Sequence, residues 1–189
     1  HLADLLRQGQ VRGAMPAPTA PVITTPFNLP SDLADFTGRD AEVAGLRQRL
    51  SEGGVVAMAG VGGIGKTVLA VRVARQLAAE GRFKDARLYL DLRGAAPHPL
   101  DPAAALGSLL AAVAGPDPRR PADAETLAGL WRAAIQGKDA LLLLDNAANA
   151  AQVKPLLPGC PSCAVLVTSR QRFTLPGAIL IDLERMPEK

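Results

Sequence analysis

Two hydrophobic periods alternate along most of the chain and divide it into elements. Short apolar runs rich in Val, Leu and Ile lie at 55–59, 87–92, 140–145, 164–168 and 178–183 and read as strands. Between them, apolar residues recur every three or four positions, the spacing of one helical face. Val43, Leu46 and Leu50 mark such a face over 40–50, and Leu69, Val73 and Leu77 mark a second over 67–80, which stops before Gly81. Leu127, Leu130, Trp131 and Ile135 form a third stripe over 123–136, followed by Gly137. The apolar stretch 103–115, fenced by Pro102 and Pro116, falls short of the roughly 18 to 20 residues of a spanning helix and reads as a buried one. Strands alternating with helices predict an α/β sandwich, a parallel sheet covered on both faces.

The first 30 residues break this rhythm. Residues 2–12 can form a short helix with Leu2, Leu5 and Leu6 on one side, but Pro16, Pro18, Pro21, Pro26 and Pro30 follow. Proline at that density removes backbone donors and favours extended chain, so 1–30 is expected to be a tail and Pro-rich linker, with the folded domain at 31–189. Nothing in the opening residues resembles a secretory signal, and the expectation is a cytoplasmic piece of something larger.

Composition narrows the classes of function. With 189 residues, 48% of them apolar, the chain can build one sizeable core without disulfide staples. Only 3% of residues are aromatic, a poor supply of stacking platforms for single-stranded nucleic acid. The net charge of +3 is spread along the chain, and the one pair of adjacent arginines, Arg119 and Arg120, sits in a Pro-flanked stretch without aromatic neighbours. Neither direct nucleic-acid binding nor a membrane partner is expected. Cys160-Pro-Ser-Cys163 has the spacing of a redox pair or half a zinc site, but the only histidines are His1 and His98. Two ordinary thiols entering a strand are expected there.

The chemistry concentrates in Gly60-Val61-Gly62-Gly63-Ile64-Gly65-Lys66-Thr67, a full match to G-x-x-x-x-G-K-[ST] between a predicted strand and a predicted helix. Glycines let successive N–H groups turn inward as an anion nest, and the helix N-terminus adds its partial positive charge. Lys66 is expected to reach the β- and γ-phosphates and the Thr67 hydroxyl to bind Mg²⁺. A second acidic anchor for that ion is Asp145, which closes the run Leu141–Leu144 as the end of a strand buried on both faces. Asn146 comes next, where an acid would polarise the attacking water; an amide can orient water but cannot take its proton. Tight binding with slow or no hydrolysis is the expectation. Asp91-Leu-Arg-Gly94 fits the D-x-x-G of GTPase switches, but no N-K-x-D for guanine accompanies it, and a surface turn is expected instead.

The motifs together resemble a known family. Phe36-Thr37-Gly38-Arg39-Asp40-Ala41-Glu42 ahead of the first strand, the P-loop, Leu141 to Asn146, and Val165-Leu-Val-Thr-Ser-Arg170 closing the fourth strand are similar to the nucleotide-binding domain of NB-ARC proteins, signalling ATPases of the STAND class. The likeness extends to Leu29-Pro-Ser-Asp-Leu-Ala-Asp-Phe-Thr-Gly-Arg39, a lead-in seen in actinobacterial multidomain regulators. It implies a three-layer P-loop NTPase sandwich with strand order 5-1-4-3-2 and ATP or ADP with Mg²⁺ as cofactor. It places Phe36, Thr37, Gly38 and Arg39 beside adenine and ribose, adds Val68 to the loop residues around the phosphates, and makes Arg170 the sensor of the γ-phosphate. The usual glutamate of the lead-in motif is Asp40 in this chain.

In that family an ARC subdomain and a winged helix follow, the latter bearing a histidine that contacts the ADP β-phosphate. Residues 31–189 are expected to lack both, to hold nucleotide less tightly than the full protein, and to be mostly monomeric. The resemblance implies a nucleotide-operated switch among the other domains of a larger regulator; the rival readings are a competent P-loop ATPase or kinase and a non-binding assembly platform.

Overall fold

A computed structural model describes residues 25–185. The helix expected at 2–12 and the first linker prolines lie outside the described residues. Five parallel strands, β1 (Gly54–Ala59), β2 (Ala86–Asp91), β3 (Ala140–Ala147), β4 (Cys163–Ser169) and β5 (Ala178–Asp182), form one sheet in the order β2-β3-β4-β1-β5. This is the expected order 5-1-4-3-2, viewed from the other edge.

Helices cover both faces. α1 (Asp40–Ser51) and α2 (Lys66–Ala79) pack with Val56, Met58, Leu141, Leu143 and Leu166. α3 (Pro102–Ala114), α4 (Ala124–Ile135) and the short α5 (Ala150–Val153) pack with Leu88, Leu90, Leu142, Leu144 and Val165 on the other face. The four leucines of β3 thus alternate between two cores, which is why that run shows no polar position. Each is at most 3% exposed, and burying a leucine contributes about 1.5–3 kcal/mol.

Local chemistry sets the helix ends. Asp101 accepts from the backbone N–H groups of Ala103 and Ala104, with Pro102 at the first helical position, and Asp123 accepts from Thr126 N–H at the start of α4. Two expectations fail here. Leu130 is 41% exposed and lies off the buried stripe, where Ala128 packs instead. Cys160 and Cys163 are not free thiols but a disulfide, because the turn Cys160–Cys163 brings their Cα atoms to 5.4 Å just before β4.

Contacts with the sheet begin ahead of Ser31. Phe27 pairs in parallel with Arg87 on the outer edge of β2, Arg87 N–H donates to Pro26 O, and Asn28 N–H donates to Arg87 O. From there the chain crosses the outside of α2, held by Arg75, which donates to Pro30 O and Leu29 O, and by Arg72, which donates to Leu33 O and pairs with Asp32 at 2.6 Å.

Candidate phosphate and cation site

Parallel strands put all their carboxyl ends on one edge, and the candidate site lies there. The loop after β1 ends in Gly65, whose φ of 90° is a left-handed turn that a side chain would strain, and α2 starts immediately afterwards at Lys66. A cavity of about 380 Å³ opens above this helix N-terminus. Gly62, Gly63, Gly65, Lys66, Thr67 and Val68 form its floor, while Asp91, Asp145, Asn146, Thr168, Ser169 and Arg170 form the wall from the neighbouring strands.

The floor and wall meet at Asp145, which is 6% exposed. Thr67 Oγ1 donates to its carboxylate, 2.8 Å from Oδ1 and 3.1 Å from Oδ2. Thr168 Oγ1 also donates to Oδ1, and Tyr89 Oη donates to Oδ2 at 3.0 Å. Three hydroxyls from α2, β4 and β2 therefore fix one carboxylate. Burial, the negative charges of Asp145 and Asp91 and the hydrogen bond itself push the Tyr89 phenol above its ordinary value of 10, keeping it a donor.

Lys66 is 8% exposed, and its Nζ donates to Gly60 O at 2.6 Å and Val61 O at 2.8 Å. Burial and the nearby Arg170 guanidinium hold this ammonium below the usual lysine value, while Asp145 pulls the other way. Arg170 itself is exposed, and its Cζ would lie 3.3 Å from a Cβ added to Gly62, so its charge sits directly over the loop. An anion in this cavity would meet two cationic side chains, Lys66 and Arg170, at the N-terminus of α2.

The lead-in residues border a second cavity of about 410 Å³, lined by Phe36, Thr37 and Arg39 on one side and Gly63, Ile64 and Val68 on the other. Arg39 is 9% exposed and its guanidinium is already engaged, donating to Ile64 O, to Glu184 O and to Glu42. It braces the loop from behind. Gly38 precedes it with a φ of 81°.

Asp91 to Gly94 is more than a surface turn. Leu92 is fully buried and Gly94 N–H donates to Asn146 O at 2.6 Å, pinning the loop after β2 onto the bulge that ends β3. Asn146 takes a left-handed φ of 56° at that bulge. Asp91 is the register partner of Asp145, so two carboxylate residues stand side by side near the carboxyl ends of adjacent strands. The sequence pattern missed Tyr89, Thr168 and Asp91. The aspartates at the ends of two successive strand runs were the available signal, whereas the two hydroxyl residues carry none until register is known.

These contacts suit Mg²⁺ and a phosphate ligand. A hydroxyl and a carboxylate 2.8 Å apart are hard oxygen donors of the kind Mg²⁺ takes, and an ion that keeps several waters and phosphate oxygens needs few protein ligands. The residues fit. Thr67 and Asp145 would hold the ion, which supplies charge neutralisation for phosphate oxygens when bound.

Comparison with known proteins bears on the fold and the sequence. The solved structure of the ORC2 protein of Aeropyrum pernix, in ADPNP and ADP complexes, superposes with a TM-score of 0.50 at 17% identity, covering 82% of this chain and 50% of that one. The fold is that of a P-loop NTPase. In sequence, this P-loop NTPase is 49% identical over 171 residues to the regulatory protein AfsR of Streptomyces griseus, a match covering 87% of this chain and 17% of the relative. It is 45% identical over 188 residues to AfsR of Streptomyces coelicolor, covering 93% of this chain and 19% of the relative. The chain is homologous to one segment of AfsR-type regulators and spans less than a fifth of their length. No family model matches it. Among the described residues no helix is long and apolar enough to cross a membrane.

Proposed function

We propose that this chain is an adenine-nucleotide-binding switch domain of the NB-ARC type, acting inside a longer transcriptional regulator. The observation that carries the proposal is the Thr67 to Asp145 contact of 2.8 Å at the foot of an intact P-loop, a ready pair of cation ligands beside an anion nest. Lys66 and the loop amides from Gly60 to Thr67 would hold the β- and γ-phosphates, and Arg170 would read the γ-phosphate through its fork of donors. The cavity beside Phe36 and Thr37 is the place for the base and ribose, with Arg39 supporting the loop by its contact to Ile64 O. Adenine is favoured by the lead-in motif, and the regulator role by the 49% identity to AfsR.

Hydrolysis should be slow. Asn146 lines the phosphate cavity where a base would act, and its amide cannot accept a proton. A switch that must persist in one nucleotide state suits this chemistry.

Calorimetric titration of the nucleotide-stripped domain with ADP, ATP and GTP in Mg²⁺ tests the reading. Micromolar or tighter binding of the adenine nucleotides, weaker GTP binding and loss of all binding in Lys66→Ala are expected. Phosphate release should stay far below the roughly 1 per second at the low end of ordinary enzymes. Absence of binding would favour an assembly platform, and fast turnover a competent ATPase.

A further inference from the structure

Among the contacts that the described chain upstream of α1 makes, one reaches a residue that touches the candidate carboxylate. Asn28 brackets Tyr89 from outside the sheet: its Nδ2 donates to Tyr89 O at 2.9 Å, and its Oδ1 accepts from Tyr89 N–H at 2.7 Å. The side-chain amide thereby continues, by one residue, the backbone pairing that Pro26 and Asn28 make with Arg87. Asn28 thus occupies both free backbone groups of an edge-strand residue, as a sixth strand would. The bracketed residue is the one whose hydroxyl donates to Asp145 Oδ2 at 3.0 Å. Hydrogen bonds from Asn28 to the Tyr89 backbone and from the Tyr89 hydroxyl to Asp145, joined by the tyrosine side chain itself, therefore connect the lead-in chain to Asp145 and Thr67.

We propose that Tyr89 is a positioning residue for the cation-binding carboxylate, and that the segment containing Asn28 sets its hold. This rests on the reading of Thr67 and Asp145 as the Mg²⁺ ligands. The chemistry favours it over a packing role alone. Thr67 faces both Asp145 oxygens, so it cannot by itself select one carboxylate orientation. Thr168 and Tyr89 each take a different oxygen and so fix the carboxylate plane from opposite sides. Phenylalanine in place of Tyr89 keeps the half-buried ring and removes only the donor. A displacement of the lead-in chain would shift Tyr89 along the edge and loosen the carboxylate, so a pull on the chain is felt at the cation.

The test separates cation dependence from nucleotide binding itself. ADP affinity is measured across a Mg²⁺ series and in chelator for the wild type, Tyr89→Phe, Asn28→Ala and the double variant, with thermal melting to confirm folding. Tyr89→Phe is expected to raise the Mg²⁺ concentration of half-effect about tenfold, the size of one hydrogen bond to a charged group, with chelator affinity unchanged. Asn28→Ala should shift it about threefold the same way, and add nothing in the Tyr89→Phe background. An unchanged Mg²⁺ requirement in Tyr89→Phe overturns the positioning role, and a full Asn28→Ala effect in the double variant overturns the coupling. Both results leave the nucleotide-binding reading standing. Wild-type protein that binds no nucleotide at any Mg²⁺ concentration overturns that reading and this inference with it.

Discussion

Asp145 is surrounded by hydroxyl donors. Its carboxylate accepts from Thr67, Thr168 and Tyr89, so the oxygens that would face a metal are held in place by neutral hydroxyls. The same arrangement makes Tyr89 hard to ionise. A phenolate would sit half-buried beside Asp145 and Asp91, and would lose its hydrogen bond. The sign follows from linkage: the folded value is raised, so the stabilisation is fully present below the unfolded value of 10 and is lost as pH climbs from 10 toward the folded value. Tyr89 is the only tyrosine in the chain, so tyrosinate absorbance reports this group alone. In Mg²⁺-free folded protein the absorbance should stay flat through pH 10 and rise only well above it or on unfolding; a midpoint at the ordinary value would contradict the cage.

The elements explain which parts of this arrangement the sequence could reveal. The P-loop was legible because its residues are contiguous and its strand and helix flank it directly. Asp145 was legible because a strand buried on both faces ends in a charge. Tyr89, Thr168 and Asn28 were not, since their meaning depends on which strands are neighbours and in what register, information that no local period carries. Leu130 shows the converse error: helical spacing placed it on the stripe, but the width of the buried face is set by what packs against α4.

Gly94 is the sharpest case at this scale. A Cβ there would come within 2.3 Å of Ala148 N and 2.4 Å of Asn146 O, backbone atoms that cannot step aside. Gly94→Ala should cost on the order of 3 kcal/mol or more by denaturant unfolding followed by circular dichroism. Gly129, mid-helix in α4 with nothing within 4 Å of an added Cβ, gives the opposite sign: Gly129→Ala should stabilise by about 0.5–1 kcal/mol. Equal effects at the two sites would mean that the loop after β2 is not pinned to β3.

For the whole molecule, the two ends of the sheet have separate tasks. The carboxyl ends carry the residues proposed to hold phosphate and cation, while the amino end of β4 carries the Cys160–Cys163 disulfide, seven residues of strand away from Arg170. At about 3.3 Å per residue that is roughly 20 Å. Reduction should therefore lower stability by no more than about 2 kcal/mol, the loop-entropy scale for so short a ring, and leave ADP affinity unchanged. A change in affinity on adding a thiol reductant would show that the two ends communicate. The free thiols expected from the sequence failed for a reason at this scale too, because only the folded turn after the α5 region brings the two sulfurs together.

The sheet also separates the chain's single tyrosine from its single tryptophan. Tyr89 packs with the α1 and α2 face, and Trp131, the only tryptophan, is fully buried on the other, its indole N–H donating to Leu156 O at 2.8 Å. Transfer of excitation from the phenol to the indole across that layer of strands falls steeply as their separation grows. The protein thus carries a built-in energy-transfer gauge: sensitised indole emission follows the closeness of its two outer layers, and no dye need be attached to watch them part.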